Sequence, residues 1–433
     1  MNFMKRDLIT ILLIFAVSSS AMAQEIRDFS LRIDKRGQEA ANLRCGCSFS
    51  VDFQNADSVV MNFGGGQEFS IENLAISGDG FEHAYNREAK KLVIRKTAKN
   101  PVRLSMDYNY TNLSSFFIYG EGDAELWEPS YGEYFYPYLP NTYLDVDIQV
   151  ETPDSLTFIC SYPLGPDNSG RLNHMLAQSL SLAFIRREAY QRTDEQIPGK
   201  LSIYQIREMA CSRERYDELV EMTKAGIAFF SKVYGEDYIS EKRNVTALPV
   251  YLFHNGKGFS NRYNIGFISA SQEKFSTKPD IYPLVHEIGH RWLGEWTLLI
   301  DDGQPGAYFI KESLNEFMTL LFIRYVCGAE AFETQLDWCR SEYEKIKGTP
   351  QDEPLVDVVL NNNNTVVYRK GPLALVRIAE QIGYGELMHV ISGFYREYAG
   401  KYPLKYMDFV NLLNESHPGV GDRLNHMLTD VSL

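Results

Sequence analysis

The sequence has 433 residues, of which 43 are lysine or arginine and 57 are aspartate or glutamate, so the formal net charge is -14 at pH 7. Because a surface this acidic repels phosphate backbones and no basic run offsets it, nucleic acid is excluded as an expected partner. The length predicts two or three domains, each large enough to bury a core of its own.

The N-terminal segment has the pattern of a secretory signal. Lys5 and Arg6 precede an apolar run at residues 8–17, and small residues follow up to Ala23. We therefore predict a signal peptide over residues 1–23 and a mature protein in the periplasm or outside the cell. The apolar run is shorter than the roughly 20 residues that a membrane-spanning helix needs, so no membrane anchor is expected.

Six cysteines follow the predicted cleavage site: Cys45, Cys47, Cys160, Cys211, Cys327 and Cys339. An oxidising compartment permits disulfides, but the sequence does not choose among the many possible pairings. Cys45 and Cys47 have no second cysteine pair at matching spacing. Their pattern favours a disulfide or buried thiols over a metal site.

Residues 24–195 predict an all-β sandwich domain. In YLDVDIQVET, residues 143–152, apolar and polar residues alternate, which is typical of a strand with one buried face. The triplet GGG at 64–66 indicates a turn, because a phosphate loop would need a following helix and lysine. The tyrosine-rich stretch at 127–143 fits either a buried core or a recognition surface for a peptide or glycan.

Residues 196–433 predict a mainly helical domain, so the expected fold class is α+β. Ser212 can cap a helix whose apolar residues recur at steps of three and four. The stretch 244–253 reads as a buried strand. Three more helical segments follow, near 283–296, 308–326 and 370–396.

The stretch LVHEIGHRW, residues 284–292, places two of the chain's eight histidines four residues apart. On a helix, His286 and His290 lie one turn apart on one face, so both rings can bind a single ion, whereas Glu287 lies beside them. Zinc suits histidine nitrogen and accepts three protein ligands with one open position. Glu287 is then placed to take a proton from a water molecule that zinc acidifies. The apolar neighbours of the motif argue against a solvated surface helix.

A second predicted helix, FIKESLNEFMTLLF at 309–322, offers a third zinc ligand. Glu312 and Glu316 are four residues apart and share one face of that helix. One of them can bind zinc while the other orients a ligand histidine, and the spacing alone leaves open which does which. We expect one zinc ion per chain.

These motifs resemble those of the aminopeptidase-N-like zinc peptidases, a gluzincin family that also includes leukotriene hydrolase. HEIGHRWLGEW is similar to the family's HExxHxWxG helix, and KESLNEF at 311–317 to its W-L-N-E-G-F-A-E-Y helix. VVYRKGPLALVRIAEQIG at 366–383 resembles the family's Y-x-K-G segment, and EPSYGEYFYPYLPNTYLDVDIQVETP at 128–153 its E-P-x(n)-F-P stretch. The resemblance runs over nearly the whole mature chain.

The resemblance implies a role for each motif residue. It places Glu312 as the zinc ligand, Glu316 as the later glutamate of the second helix, and Tyr368 as the tyrosine that stabilises the reaction intermediate. It also implies that residues 196–433 form a thermolysin-like catalytic domain that follows the β domain in the sequence. The spacing between His290 and Glu312 is three residues longer than the family pattern.

Two departures from the family pattern concern the binding of the substrate. In the family, a G-x-M-E-N strand carries a glutamate that holds the free amino terminus of the substrate. Here Tyr263 stands at the place of that glutamate, whereas Asn264 and Gly266 agree with the pattern. The chain also ends where the family usually adds a helical domain, which is expected to leave the site more open.

The predicted function is peptide-bond hydrolysis by a secreted zinc metallopeptidase that resembles an aminopeptidase and acts on peptide substrates. The missing carboxylate leaves open an endopeptidase or a peptidase of narrow specificity, unless another acid such as Glu273 replaces it. A further alternative is a catalytically inactive protein that binds a peptide or glycan on the same fold. The sequence leaves the oligomeric state open.

Overall fold

A computed structural model describes residues 25–37, 42–65, 69–97, 100–112, 118–119, 126–127, 135–160, 162, 164–197, 201–243, 250–254, 262–264, 267–272, 275, 281–294, 297–301, 303–359 and 362–430. The predicted signal peptide lies outside these residues. The chain divides into two compact units. Unit 1 is drawn from Met1–Asn112, Gly132–Glu151 and Gly165–Ala177, and unit 2 from Leu113–Tyr131, Thr152–Leu164 and Gln178–Leu433. Within the described ranges, no helix is both long and apolar enough to cross a membrane.

Unit 1 is made of β-strands. One sheet contains β1 (Glu25–Asp34), β2 (Asn42–Asp52), β4 (Phe69–Gly78), β7 (Val102–Asn112), β10 (Tyr143–Glu151) and β12 (Ser169–Leu176). Its order is β12-β10-β1-β2-β7-β4, with β1 and β10 parallel and the other neighbours antiparallel. A second sheet, in the order β3-β6-β5, contains β3 (Ser58–Asn62), β5 (Phe81–Asn86) and β6 (Lys91–Lys96).

The alternation predicted for residues 143–152 is confirmed by β10. Its apolar side chains are buried and the polar ones between them are exposed, the buried ones being Leu144, Val146, Ile148 and Val150. The described part of the tyrosine-rich stretch also contributes to the core, since Phe135, Tyr136 and Tyr138 are buried. Cys45, Cys47, Cys211, Cys327 and Cys339 are free thiols.

Unit 2 begins with two sheets. The first contains β8 (Ile118–Tyr119), β9 (Leu126–Trp127), β11 (Leu156–Cys160) and β13 (Leu182–Arg186). The second contains β14 (Tyr190–Glu195), β15 (Leu201–Ile206), β16 (Val250–His254), β17 (Arg262–Asn264) and β18 (Phe267–Ser271). Its order is β14-β15-β16-β18-β17, with a parallel centre and antiparallel edges. The sequence pattern groups residues 178–195 with the N-terminal β domain. In the structure these residues belong to unit 2.

Helices make up the rest of unit 2. The α-helices are α1 (Arg213–Tyr234), α2 (Tyr238–Arg243), α3 (Ile281–Gly289), α4 (Leu314–Phe322), α5 (Ala329–Glu344), α6 (Gly371–Ile382), α7 (Tyr384–Tyr398), α8 (Tyr406–Ser416) and α9 (Val420–Thr429). Short 3-10 helices occupy Arg207–Met209 and Leu355–Asp357. Three π-helical turns occupy Phe309–Ser313, Ile323–Cys327 and Val366–Lys370. The predicted α+β class, β-rich first and helical second, is confirmed.

The predicted helix boundaries are met in part. Ser212 caps α1 as predicted, because its side chain accepts a hydrogen bond from the Arg215 backbone nitrogen at 3.4 Å. The helix predicted near 283–296 is shorter, since regular α3 ends at Gly289 and turns follow. The segment predicted near 370–396 is two helices, because Gly383 adopts φ 101°, a conformation that glycine tolerates and a continuing helix does not.

Two glycines let helices pack closely around α3. A Cβ atom on Gly289 would lie 2.0 Å from the Asn315 side chain of α4, so only glycine fits there. A Cβ atom on Gly226 of α1 would lie 3.3 Å from Ile288, which is a tight contact. Helix α3 is therefore held between α1 and α4, with the strands β17 and β18 beside it.

Candidate metal centre

Three side chains from two helical segments meet in unit 2. His286 lies in α3, His290 in the turn that continues it, and Glu312 in the π-helical turn ahead of α4. Oε2 of Glu312 lies 3.3 Å from Nε2 of His286 and 3.4 Å from Nε2 of His290. One ligand atom from each of the three residues lies within 4.8 Å of the others. The structure thus brings together the three residues that the sequence assigns to zinc.

The separations between these atoms fit zinc. Ligand atoms held at about 2.0–2.1 Å from a tetrahedral zinc ion lie about 3.3–3.4 Å from one another. Both nitrogen-to-oxygen distances in the cluster fall in that range. Two imidazoles and one carboxylate are also a donor set that zinc prefers, and three ligands leave a fourth position for water or substrate.

The other nitrogen of each ring lies close to a protein oxygen. Nδ1 of His290 donates a hydrogen bond to the backbone oxygen of Leu293 at 2.9 Å. Nδ1 of His286 lies 2.7 Å from Oε2 of Glu316. A proton held on Nδ1 leaves Nε2 as the metal-binding nitrogen in both rings. These contacts orient both histidines toward Glu312.

The two glutamates of the second motif face different nitrogens. Glu312 faces Nε2 of both histidines, whereas Glu316, one turn later, faces Nδ1 of His286. The side chain of Glu316 is 3% exposed, and its Oε1 lies 2.7 Å from Nη1 of Arg369. The sequence left open which glutamate could bind zinc, and this geometry gives Glu312 the metal-facing position.

The electrostatics of the cluster favour positive charge. Burial lowers the pKa of His286, but the adjacent carboxylates of Glu312 and Glu316 outweigh burial and raise the pKa to about 10. Burial likewise lowers the pKa of His290, and the Glu312 charge raises it above the ordinary value. Burial raises the pKa of Glu312 and of Glu316, but His290 and His286 bring that of Glu312, and His286 and Arg369 that of Glu316, below the ordinary value. A buried site with this field stabilises a cation.

Glu287 and Tyr368 both lie next to the histidines. Glu287 is 8% exposed, and its charge acts to raise the pKa of both His286 and His290. The Tyr368 ring centroid lies 5.8 Å from that of His286. Tyr368 belongs to the π-helical turn Val366–Lys370, and such turns are frequent at functional sites.

The structure adds supporting residues that the sequence patterns did not reveal. Asn315 is fully buried, and its Nδ2 donates a hydrogen bond to the backbone oxygen of His286 at 2.7 Å. Arg291, which follows His290, forms a buried ion pair with Asp237 at 2.9 Å. Periodicity shows that such residues face inward, but it cannot show which backbone or side chain they meet.

The residues predicted to hold the substrate are only partly described. Tyr263 and Asn264 lie in strand β17, antiparallel to β18 and beside helix α3. Gly266 and Glu273 lie outside the described residues. Their roles in substrate binding stay predictions.

Solved structures resemble this chain over nearly its full length. The crystal structure of an M1 zinc metallopeptidase from Deinococcus radiodurans is 13% identical, with a TM-score of 0.68 over 95% of each chain. The chain has the M1 zinc metallopeptidase fold. An M1 zinc metallopeptidase mutant from Deinococcus radiodurans bound to a Tyr-Ser-Ala substrate is also 13% identical, with a TM-score of 0.69 over 95% of each chain.

Native leukotriene A4 hydrolase from Saccharomyces cerevisiae is also similar. It is 14% identical with a TM-score of 0.69, and the match covers 93% of this chain and 66% of the yeast chain. No protein-family model matches the sequence, and no curated protein matches it at a significant level. At these identities the likeness shows the fold, and the activity has to be argued from the site.

Proposed function

We propose that this protein is a zinc-dependent peptidase with one zinc ion per chain, held by His286, His290 and Glu312. The observation that carries the proposal is the convergence of two Nε2 atoms on one carboxylate oxygen, at 3.3 and 3.4 Å, while each Nδ1 atom lies beside a different oxygen. When bound, zinc polarises a carbonyl group and lowers the pKa of water toward about 7.

The chain's own residues would supply the remaining chemistry. Glu287 is buried beside the histidines, so its carboxylate can take a proton from the attacking water and return it to the leaving amine. Tyr368 lies on the Val366–Lys370 turn next to His286, so its hydroxyl can donate a hydrogen bond to the carbonyl oxygen as negative charge develops there. Both steps need only groups that border the metal ligands.

We further propose that the substrate is a short peptide and that the enzyme acts like an aminopeptidase. The fold supports this proposal, since a mutant with the same fold from Deinococcus radiodurans is bound to a Tyr-Ser-Ala substrate. Position 263 is a tyrosine where the family has a glutamate. The substrate's free amino terminus should be bound more weakly, because a charge-assisted hydrogen bond contributes about 1.5–3 kcal/mol. An endopeptidase is therefore the alternative to test directly.

The deciding experiment combines metal analysis with two substrates. Purified protein is expected to contain one zinc per chain and to hydrolyse a panel of fluorogenic aminoacyl amides, with activity lost to a chelator and restored by zinc. An internally quenched peptide with a blocked amino terminus serves as the endopeptidase substrate. Cleavage of the blocked peptide alone would assign an endopeptidase, whereas stable zinc-free protein with no turnover of either substrate would support the binding protein instead.

We propose that the mature protein is exported, because Lys5 and Arg6 precede an apolar run and a small residue at position 23. N-terminal sequencing of protein recovered from cell fractions tests this proposal. The expected sequence begins at Gln24. Recovery of a chain that retains residues 1–23 would contradict export by cleavage.

A further inference from the structure

Arg369 joins two parts of the candidate site. Its Nη1 lies 2.7 Å from Oε1 of Glu316, and the same nitrogen donates a hydrogen bond to the backbone oxygen of Tyr368 at 2.7 Å. Glu316 in turn lies 2.7 Å from Nδ1 of His286. One guanidinium nitrogen therefore contacts both the Glu316 carboxylate, which faces His286, and the backbone of Tyr368, the residue predicted to stabilise the reaction intermediate.

The position of the guanidinium group is fixed from a second direction. Its central carbon lies 4.0 Å from the centroid of the Trp338 ring, so the planar group stacks on the indole. The Arg369 side chain is only 19% exposed, and Trp338 belongs to the neighbouring helix α5. Stacking on a ring is a geometry that arginine adopts and lysine does not reproduce, so this arginine is held in one orientation.

Glu316 depends on this contact for its own orientation. Its side chain is 3% exposed, Oε2 faces His286 and Oε1 faces Arg369. A buried carboxylate with a partner on each oxygen is fixed about its terminal torsion, whereas a carboxylate that loses one partner is free to rotate or to change its protonation. The orientation of the His286 ring thus depends on a residue that does not touch it.

A hydrogen bond from a side chain to the backbone also links the two helical turns of the site. Ser313, next to Glu312, donates a hydrogen bond from Oγ to the backbone oxygen of Val367 at 2.6 Å. A Cβ atom on Gly371 would lie 2.2 Å from the same hydroxyl, which shows how closely the turns approach. Arg369 adds a charged link across the same junction.

We propose that Arg369 is a positioning residue that couples the orientation of His286, through Glu316, to the placement of Tyr368. The kinetic part of this inference rests on the proposed function, whereas the metal-binding part needs only that the site holds zinc. Arg369 acts through other residues and touches neither zinc nor substrate.

Zinc affinity, measured by competition with a chromophoric chelator, tests the coupling. Arg369→Met is expected to weaken zinc binding about tenfold, at the low end of the 10–100-fold effect typical of residues that support metal ligands. Arg369→Lys, which keeps the charge, is expected to recover part of the loss. Arg340→Met is the matched control, since Arg340 is 45% exposed and pairs with Asp337 on the surface of α5; its affinity should equal that of the parent protein.

A double variant tests whether the arginine acts through Glu316. Glu316→Gln with Arg369→Met should bind zinc no more weakly than Glu316→Gln alone, because the arginine then has no carboxylate to orient. Since Arg369→Met leaves a buried carboxylate with one partner fewer, circular dichroism and thermal unfolding of the zinc-free proteins check the fold. The double variant lacks the buried Glu316 charge. If Arg369→Met unfolds, the double variant can therefore still be compared with Glu316→Gln.

Two further measurements separate positioning from general stability. The visible spectrum of the cobalt-substituted protein should change in Arg369→Met but not in Arg340→Met, because it reports ligand geometry. With a fluorogenic substrate, kcat of Arg369→Met should be about tenfold lower than kcat of Arg340→Met, whereas the two KM values should agree within about twofold. This pattern is expected if Tyr368 is misplaced.

The outcomes are distinguishable. Parental zinc affinity and an unchanged cobalt spectrum in Arg369→Met would overturn the coupling while leaving the proposed function intact. Additive losses in the double variant would also overturn it, since independent effects exclude action through Glu316. Zinc binding without peptidase activity would reject the proposed function but leave the metal-binding part of the inference standing, and a parent protein that binds no zinc would reject both.

Discussion

The His286 ring has two sides with different surroundings. On its metal-facing side, Nε2 of His286 and Nε2 of His290 lie 3.3 and 3.4 Å from one oxygen of Glu312. On its supporting side, Nδ1 lies 2.7 Å from Glu316, whose other oxygen contacts Arg369. The metal-facing atoms converge on one another, whereas the supporting atoms each have a separate protein partner.

Residue type does not distinguish the two glutamates, and Glu316 is the more buried, with its side chain 3% exposed against 18% for Glu312. Glu312 and Glu316 are four residues apart, and the pKa of each is lowered despite burial, that of Glu312 by His290 and His286 and that of Glu316 by His286 and Arg369. They differ in which ring nitrogen they face. A change on the metal-facing side should therefore abolish zinc binding or chemistry, and one on the supporting side should weaken zinc binding without abolishing it.

The largest loss of zinc affinity is expected for Glu312→Gln. Because even residues that support ligands contribute 10–100-fold, loss of a ligand carboxylate should weaken zinc binding by more than about 100-fold. Chelator competition and the zinc content of purified protein measure this. Glu333→Gln, at a carboxylate 57% exposed on α5, is the control. An affinity for zinc within tenfold of the parent would remove Glu312 from the ligand set.

Glu287→Gln should separate chemistry from metal binding on the metal-facing side. The amide cannot take a proton from water, so kcat should fall by about 10²–10⁴-fold. Zinc content should stay at the parental value, because Glu287 is placed beside the ligands and not among them. Full turnover by this variant would end the assignment of Glu287 as the base.

Tyr368→Phe removes only a hydroxyl from the metal-facing side. Loss of one donor to a developing oxyanion typically lowers kcat by about 10²–10³-fold, and a drop near the lower end with little change in KM is expected. Tyr325→Phe is a matched control, since Tyr325 is 53% exposed. If the two variants had equal kcat, Tyr368 would be a structural residue.

Glu316→Gln tests the supporting side. The amide keeps the shape but loses the charge that faces Nδ1 of His286, so zinc affinity should fall about 10–100-fold, less than for Glu312→Gln. The order of the two affinities is the critical result. If Glu316→Gln were the weaker binder, the two glutamates would have to exchange their proposed roles.

Gly289→Ala should give the smallest effect on the site and act mainly on stability. A Cβ atom would lie 2.0 Å from the Asn315 side chain, so overpacking should lower the free energy of unfolding by about 1–3 kcal/mol. Urea denaturation of the zinc-free protein measures this. Gly385→Ala is the control, since no atom lies within 4 Å of its Cβ position; equal stability of the two variants would show that α3 and α4 separate readily.

Identical local sequences can adopt different structures in this chain. The hexapeptide RLNHML lies in strand β12 at residues 171–176 and in helix α9 at 423–428. All four leucines are buried, but a register shift in β12 places Leu172 opposite Val146 and Leu176 opposite Tyr143, whereas Leu424 and Leu428 lie one turn apart on one face of α9. Pairing of β12 with β10 decides the first case and packing against α8 the second.

The second copy differs from the first in its histidine. His174 has φ 51° and stacks on Tyr143 with ring centroids 4.2 Å apart. His426 is exposed and lies 3.1 Å from Asp430, the residue that follows the same helix. Each environment comes from residues outside the hexapeptide, so its sequence alone predicts neither.

Local spacing in the sequence was enough to predict which residues form the candidate metal centre. Two histidines one helical turn apart, a glutamate beside the first and a pair of glutamates on the next helix restrict the site to a few ligand sets, because helical spacing fixes which side chains share a face. The alternation in β10 and the cap at Ser212 were predictable for the same reason, since both depend on neighbours within a few residues.

Helix packing fixes the positions of the two glutamates: Glu312 faces Nε2 of both histidines, and Glu316 is held between His286 and Arg369. Glu312 precedes regular α4 on a π-helical turn, and Arg369 reaches Glu316 from a segment more than fifty residues further along the chain. Contacts at that distance depend on how helices pack, and packing depends on the shapes of all the side chains between them. Local periodicity does not encode that information.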